Sequence, residues 1–253
     1  MNNAIYIALS RQAGLFRDID VIANNVANAS TPGYKSEQMV FEKYLANDKD
    51  EFRRKIAFGF DIATATDFRD GDLQKTDRPL DVALNGEGFF KIQKPDGTFR
   101  YTRRGNFSLS NDKTLVTSDG FAVVDDGGTP IRFQQEDTDI EITSDGTIKV
   151  RQGNDPGQIS EPRGKIAVVS FANPQEMKRV ENGLYTTTQA EITDDALVPA
   201  RVIQGAVEQS NVNPVNEITE MIRVNRSASG VSGFMNDIHE LTRRAITAYT
   251  RTT

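Results

Sequence analysis

Residues Ile5–Val26 read IYIALSRQAGLFRDIDVIANNV, and their spacing decides the architecture. Ile5, Leu9, Gln12, Phe16, Ile19, Ala23 and Val26 recur at alternating steps of four and three. That repeat keeps one stripe of an α-helix facing a partner helix. Ala8, Leu15 and Ile22 add a second row beside it. Asn2 or Asn3 supplies a cap at the start. Ser30-Thr31-Pro32-Gly33 ends the segment: Pro32 disfavours helix at Thr31, and Gly33 permits a sharp turn. The sequence predicts a helix of about 25 residues, roughly 38 Å long.

The other end of the chain mirrors this pattern. Asn213-Pro214 opens a helix, with proline in the first turn where its missing N–H costs nothing. Met221, Val224, Ala228, Val231, Met235, Ile238, Thr242, Ala245 and Tyr249 then keep a three-four alternation. Ser227-Ala228-Ser229-Gly230-Val231-Ser232-Gly233 is poor helix sequence, each glycine costing about 1 kcal/mol relative to alanine. A kink, a break or a close helix contact is expected there. Two such helices pair through one stripe each, which would leave the row Ala8, Leu15, Ile22 for another copy or a related subunit. The alternative is a monomer whose stripes both pack on its β domain. At about 38 residues and roughly 57 Å, the C-terminal helix is too long to lie wholly against one small domain.

Between the helices the sequence reads as β. Asp70-Gly71, Asp96-Gly97, Asp119-Gly120, Asp126-Gly127 and Asp145-Gly146 punctuate it, and Asp-Gly suits type I′ hairpin turns. Short strand-like runs lie between them: Phe89–Gln93, Thr98–Thr102, Thr114–Thr117, Phe121–Val124, Ile131–Phe133, Asp139–Ile142 and Thr147–Val150, then Lys165–Phe171 and Arg201–Val207. Their spacing suggests a barrel-like or sandwich-like domain. The expected class is α+β, with paired terminal helices forming a coiled-coil-like stalk and a mainly antiparallel β domain inserted between them. The expected divisions are a stalk helix over 1–33, an extended connector or hairpin over 34–75, the β domain over 76–210 and the second stalk helix over 211–253.

Composition excludes several classes of function. The 253 residues contain no Cys and one His, so no disulfide framework, thiolate metal site or Cys nucleophile is possible. His239 is the one imidazole available for acid–base work. A net charge of −6 argues against a nucleic-acid partner. The charge is uneven: from Met221 to Thr253, Arg223, Arg226, Arg243, Arg244 and Arg251 stand against Asp237 and Glu240. No apolar run approaches the roughly 18 residues of a membrane span, and the opening Met1-Asn2-Asn3-Ala4 lacks the basic region of a cleavable signal peptide. No membrane insertion, cofactor or metal is expected. The location is the cytosol, or a place reached by an export route that cleaves nothing.

Three blocks of sequence carry a resemblance. Asp20–Lys35 contains ANNVAN followed by the turn Thr31-Pro32-Gly33-Tyr34-Lys35. Pro79–Phe90 (PLDVALNGEGFF) continues to Tyr101-Thr102-Arg103-Arg104-Gly105-Asn106-Phe107. Gln204–Asn213 reads QGAVEQSNVN. In this order, and spanning most of the chain, they resemble the bacterial flagellar rod and hook proteins. The opening Ile5–Gln12 and the modest length resemble the proximal rod members, with the distal rod members as the alternative. The resemblance implies a structural, non-enzymatic subunit in the basal-body rod within the periplasm, exported uncleaved by the flagellar type III apparatus. It further implies assembly with other copies and with proximal and distal rod proteins, transmission of motor torque, and a role in motility. The terminal helices would form the inner core and the β domain the outside. The run Ser227–Gly233 departs from the more helix-friendly sequence usual there.

Individual residues carry narrower expectations. Asn24, Asn25 and Asn28 sit at the end of the first helix despite low helix propensity. They either set register between subunits through amide hydrogen bonds or cap the helix locally. Arg223, Arg243 and Arg244 either bridge to acids of neighbouring subunits or form a solvated face. Asn85-Gly86-Glu87-Gly88 lacks the further glycine or Lys-Ser/Thr of a phosphate loop and reads as a turn into a buried strand. The acidic groups at Asp48–Glu51, Asp125-Asp126 and Asp194-Asp195 lack calcium-loop spacing and read as solvated turns. A secreted binding module, a β domain on a helical stalk, is the remote alternative function.

Overall fold

The computed structural model describes residues 2–45, 57–152, 161–193 and 200–250. The chain forms two compact units, one from residues 1–29, 36–67 and 212–253 and the other from residues 30–35 and 68–211.

The first unit holds α1 (Asn2–Ala27), the hairpin strands β1 (Glu37–Leu45) and β2 (Ala57–Thr66), and the C-terminal helix (Pro214–Thr250). The two helices pack against each other. They run antiparallel, since Gln12 Nε2 donates to Ser232 Oγ at 2.9 Å and Asn25 Nδ2 donates to Glu217 Oε2 at 3.2 Å. The hairpin pairs antiparallel from Glu37 opposite Thr66 to Leu45 opposite Ala57, with a register shift between Phe41 and Lys43.

One expectation about the helices needs correction. The row that turns inward on α1 is the second one: Ala8 and Ile22 are buried and Leu15 is half-buried, whereas Leu9 and Phe16 are 51% and 53% exposed. Asn25 lies three residues past Ile22 on that same row, and its bond to Glu217 holds the row against the C-terminal helix. Of the kink, break or close contact expected at Ser227–Gly233, the close contact is found: Ser232 meets Gln12 of α1, and the C-terminal helix runs there without a break. Its small seam residues Ala228 and Ser232 face inward, with Ser232 Oγ donating to the Ala228 carbonyl. Gly230 and Gly233 lie exposed, where an added Cβ would meet no atom within 4 Å. Packing of the stripe sustains the helix there despite its weak local propensity. Asn213 caps its start by accepting the Val215 and Asn216 amides on Oδ1.

The second unit is built from short antiparallel strands. In chain order they are β3 (Leu73–Lys75), β4 (Val82–Asn85), β5 (Phe89–Gln93), β6 (Phe99–Thr102), β7 (Ser108–Leu109), β8 (Leu115–Val116) and β9 (Ala122–Val123). There follow β10 (Asp137–Ile142), β11 (Thr147–Gln152), β12 (Glu161–Lys165), β13 (Val168–Val169), β14 (Lys178–Arg179) and β15 (Tyr185–Thr186). The last two are β16 (Arg201–Gln204) and β17 (Ala206–Glu208). The main sheet has the order β14-β15-β6-β5-β9-β8-β7, with β13 also on β5. A three-stranded sheet β10-β11-β12 and the pairs β16-β4 and β17-β3 complete the unit. The run Ile131–Phe133 forms only isolated bridges around Pro130 and Arg132, although Ile131 and Phe133 are buried.

The hairpin turns differ from the type I′ expectation. At Lys94–Gly97, Thr117–Gly120, Asp125–Gly128 and Thr143–Gly146, the fourth residue donates its amide to the first carbonyl and alone takes positive φ (79–87°). The first residue's amide then bonds one position beyond the turn. This is the three-residue loop with a left-handed bulge residue. Lys113 plays the same part at Ser110–Lys113 with φ 61°. Asp70-Gly71 makes no hairpin; a Cβ on Gly71 would lie 2.0 Å from the Gln209 carbonyl oxygen.

Alternation along β5 divides the core. Phe90 and Ile92 enter a large cluster with Leu84, Phe107, Leu115 and Ile148. Phe89 points the other way, into a smaller cluster with Tyr101, Val169, Phe171, Met177 and Tyr185. Both faces of this strand are therefore covered, which accounts for its near-continuous apolar sequence.

Candidate functional site

Two constellations stand out, one in each unit. In the first unit, the described helix stripes divide into an inner and an outer set. Val224 and Ala228 are buried within the unit, and Met221, Val231, Met235 and Ile238 are half-buried. On α1, Ile5, Gln12, Ile19 and Val26 are half-buried and Ala23 is exposed. The side chains of Ala245 and Tyr249 lie outside the described residues. The outer set includes Tyr6, Leu9 and Phe16 on α1, with Val215, Ile218, Ile222, Phe234 and Leu241 on the C-terminal helix. Near its middle the helix pair opens a groove of about 510 Å³ lined by Ile7, Ala8, Arg11, Gly230, Val231 and Phe234.

The asparagines separate by role. Asn25 is 1% exposed. Its amide donates to the Glu37 carbonyl at 2.8 Å and its Oδ1 accepts the Glu37 amide at 3.0 Å. It therefore joins α1 to the start of β1 and to Glu217 inside its own chain, which corrects the expectation that it reaches another subunit. Asn28 donates to the Asn24 carbonyl at 2.9 Å, a local cap, and the Asn24 side chain is exposed. Arg223 pairs with Glu220 and Arg244 with Glu240 along their own helix, while Arg243 is exposed. Burial, then the Glu220 carboxylate, raises the Asp18 pKa above its ordinary value, with Arg223 opposing.

In the second unit, the three sequence blocks that carried the resemblance meet. Thr31–Tyr34 forms a turn in which the Tyr34 amide donates to the Thr31 carbonyl at 3.2 Å. Pro32 takes its second position and Gly33, at φ 67°, its third, the type II arrangement. A Cβ on Gly33 would sit 2.6 Å from the backbone of Arg103. The Gly33 amide donates to the Glu208 carbonyl at 2.8 Å. Beyond the turn, Lys35 is fully buried and donates from Nζ to Glu208 Oε1 at 2.6 Å and to the Arg69 carbonyl at 2.7 Å. Glu208 Oε1 also accepts the Gly71 amide at 3.0 Å. Arg103 lies 3.3 Å from Asp70 and 3.6 Å from Glu208 Oε2, with its guanidinium over the Phe89 ring. Arg179 stacks on the Tyr34 ring and donates to the Lys35 carbonyl.

Burial lowers the Lys35 pKa, and the Glu208 carboxylate opposes that shift. The ammonium is retained by its ion pair and its backbone carbonyl, as a buried cation requires. Sequence reading singled out the turn at Pro32 and Gly33 but missed Lys35, Asp70, Arg103 and Glu208. Their signal was a charged residue inside each otherwise apolar or turn-forming block.

Among the described residues, no group of three His, Asp or Glu side chains is placed to hold a metal ion. None of their helices is long and apolar enough to cross a membrane. His239 lies exposed on the C-terminal helix. Asp125 serves its turn by accepting the Thr129 amide. The acidic groups at 48–51 and 194–195 lie outside the described residues.

Paired terminal helices with large apolar side chains exposed on them, and an antiparallel β unit inserted between them in the chain, define an α+β protein of helical and β units. Comparison with known families agrees in three places. Residues 5–35 match the flagella basal body rod protein family, residues 83–150 the flagellar hook protein FlgE/F/G D1 domain, and residues 203–247 the flagellar basal body rod FlgEFG protein C-terminal family. The flagellar basal-body rod protein FlgF of Caulobacter vibrioides is 34% identical over 97% of both chains. FlgF of Salmonella typhimurium is 34% identical over 88% of both. The rod protein FlgG of Buchnera aphidicola from Acyrthosiphon pisum is 32% identical over 83% of this chain and 85% of its own. This chain belongs to the flagellar basal-body rod protein family, and within it resembles the FlgF proteins most.

Proposed function

We propose that the chain is a structural subunit of the flagellar rod, of the proximal type, which assembles with other copies and other rod proteins and helps carry motor torque to the hook. The supporting observation is the outer apolar set on the two helices. Leu9 and Phe16 on one helix and Val215, Ile218 and Ile222 on the other are large side chains held in water, at a cost that neighbouring subunits remove. A structural role needs no catalytic group. Uncleaved export through the flagellar apparatus, with the basal body in the periplasm as destination, follows from the same reading. The site residues expected from sequence divide accordingly: Leu9, Phe16 and Ala23 face neighbours, while Asn25, Val224 and Ala228 hold the subunit's own helices together.

Substituting Leu9→Ser with Phe16→Ser tests this. The purified variant should keep the wild-type circular dichroism spectrum, because neither side chain is buried. In cells it should be missing from isolated basal bodies, and swimming should be lost. Normal incorporation and normal swimming would refute the assignment of that face to assembly.

A further inference from the structure

The buried charge cluster does more than fill its unit. Lys35 and Glu208 are 173 residues apart in sequence, yet their charged atoms meet at 2.6 Å. Lys35 is the last residue of the second unit before the hairpin leaves it, and Glu208 precedes by three residues the point where the C-terminal helix leaves it. The return from the hairpin enters at Phe68, and Arg69, Asp70 and Gly71 bind the same two side chains. Asn211 adds a bond from Nδ2 to the Arg69 carbonyl at 3.1 Å, and its amide donates to the Tyr34 carbonyl. Every strand of chain that supplies the helical unit thus passes through one cluster.

We propose that the Lys35–Glu208–Arg103 cluster is a clasp that sets the encounter of the two terminal helices, so that their pairing depends on completion of the β unit. Gln12 and Ser232, which touch across the helix pair, are 220 residues apart. With residues 35 and 208 held together, only about 47 residues of chain separate the two positions. Loop-closure probability falls roughly as the 3/2 power of length, so the clasp raises the encounter of α1 with its partner about tenfold. The ionic chemistry makes the clasp all-or-none. Removing one buried partner strands the other, which opens the site rather than loosening it. The inference concerns the folding of the chain itself and stands whether or not the chain builds a rod.

The test uses the full chain, which has no native Cys. Gln12→Cys with Ser232→Cys places one thiol on each helix, and the equilibrium with glutathione reads their effective concentration. Adding Glu208→Gln, or separately Lys35→Met, should lower that concentration about threefold, since Val82 stays paired with Gln204 and leaves about 98 residues of chain between the two positions, while hydrogen exchange across 82–93 shows the β unit still folded. A change smaller than twofold in a variant with a native β unit overturns the proposal. A second measurement covers variants that fail to fold. In the Cys pair alone, urea should abolish the thiol proximity together with β-unit protection. Thiol proximity that survives melting of the β unit overturns the clasp equally.

Discussion

Asn25→Ala should unfasten the helical unit and leave the β unit intact. The side chain bonds the backbone of Glu37 through both its amide nitrogen and its oxygen, and it donates to Glu217. It is 1% exposed, so no water stands ready to replace it. Each net hydrogen bond is worth about 1 kcal/mol, and stranding a buried polar partner costs about 1–3 kcal/mol. Glu37 is half-buried and Glu217 is half-buried, so water recovers part of that loss. The expected destabilisation is therefore about 2–4 kcal/mol. Hydrogen exchange followed by mass spectrometry reads it directly, since opening equilibria scale tenfold per 1.4 kcal/mol. Amides of α1 and of the facing part of the C-terminal helix should exchange roughly 30- to 1,000-fold faster. Peptides across Val82–Gln93 should be unchanged. Asn24→Ala, with its side chain in solvent, should move neither set by more than about 0.5 kcal/mol. Equal effects of the two substitutions, or unchanged helix exchange in Asn25→Ala, would refute the placement of Asn25 inside its own chain.

Three further outcomes follow from other parts of the structure. Gly105→Ala would place its Cβ 1.6 Å from the Val82 carbonyl oxygen, so the β unit should lose about 3 kcal/mol or more and its thermal midpoint should drop by many degrees. Gly230→Ala and Gly233→Ala add Cβ atoms in open space, so each should stabilise the isolated helix by about 1 kcal/mol, seen as greater helicity at 222 nm. Hydrogen bonds from Thr143 and Thr147 hold the Asp145 carboxyl at about 2, below its ordinary 3.8. The unfolded chain then takes up this proton first as pH falls, so the turn's contribution is complete above pH 3.8 and is lost toward pH 2. Asp145→Asn should flatten that part of an acid-unfolding curve, and an unchanged slope would show that the carboxyl does not matter there.

The helices were legible because their stripes repeat over many turns. Which α1 row turns inward was not, because both rows are apolar. The inner row ends on Asn25, whose partner Glu217 lies 192 residues away, and no local pattern carries that information. Four of the five Asp-Gly pairs marked turns, Asp70-Gly71 being the exception, yet the turn type depended on the residue before them. Pro95, Ser118 and Ser144 each add one position and shift the left-handed residue onto glycine alone. Ser227–Gly233 looked like a weak point because propensity is a local quantity, and tertiary packing along Ala228 and Ser232 overrode it. The motif blocks pointed to the family without disclosing why their charges are there. Lys35, Arg103 and Glu208 each look like an ordinary surface charge until the fold brings them together.

The most direct test of the rod assignment is electron microscopy of basal bodies from a strain lacking only this gene, with swimming scored beside it. A rod that stops before its distal segment, in cells that do not swim, is the predicted result. A complete proximal rod lacking only its distal part would contradict the proximal placement, and intact basal bodies in swimming cells would contradict a necessary role in the rod.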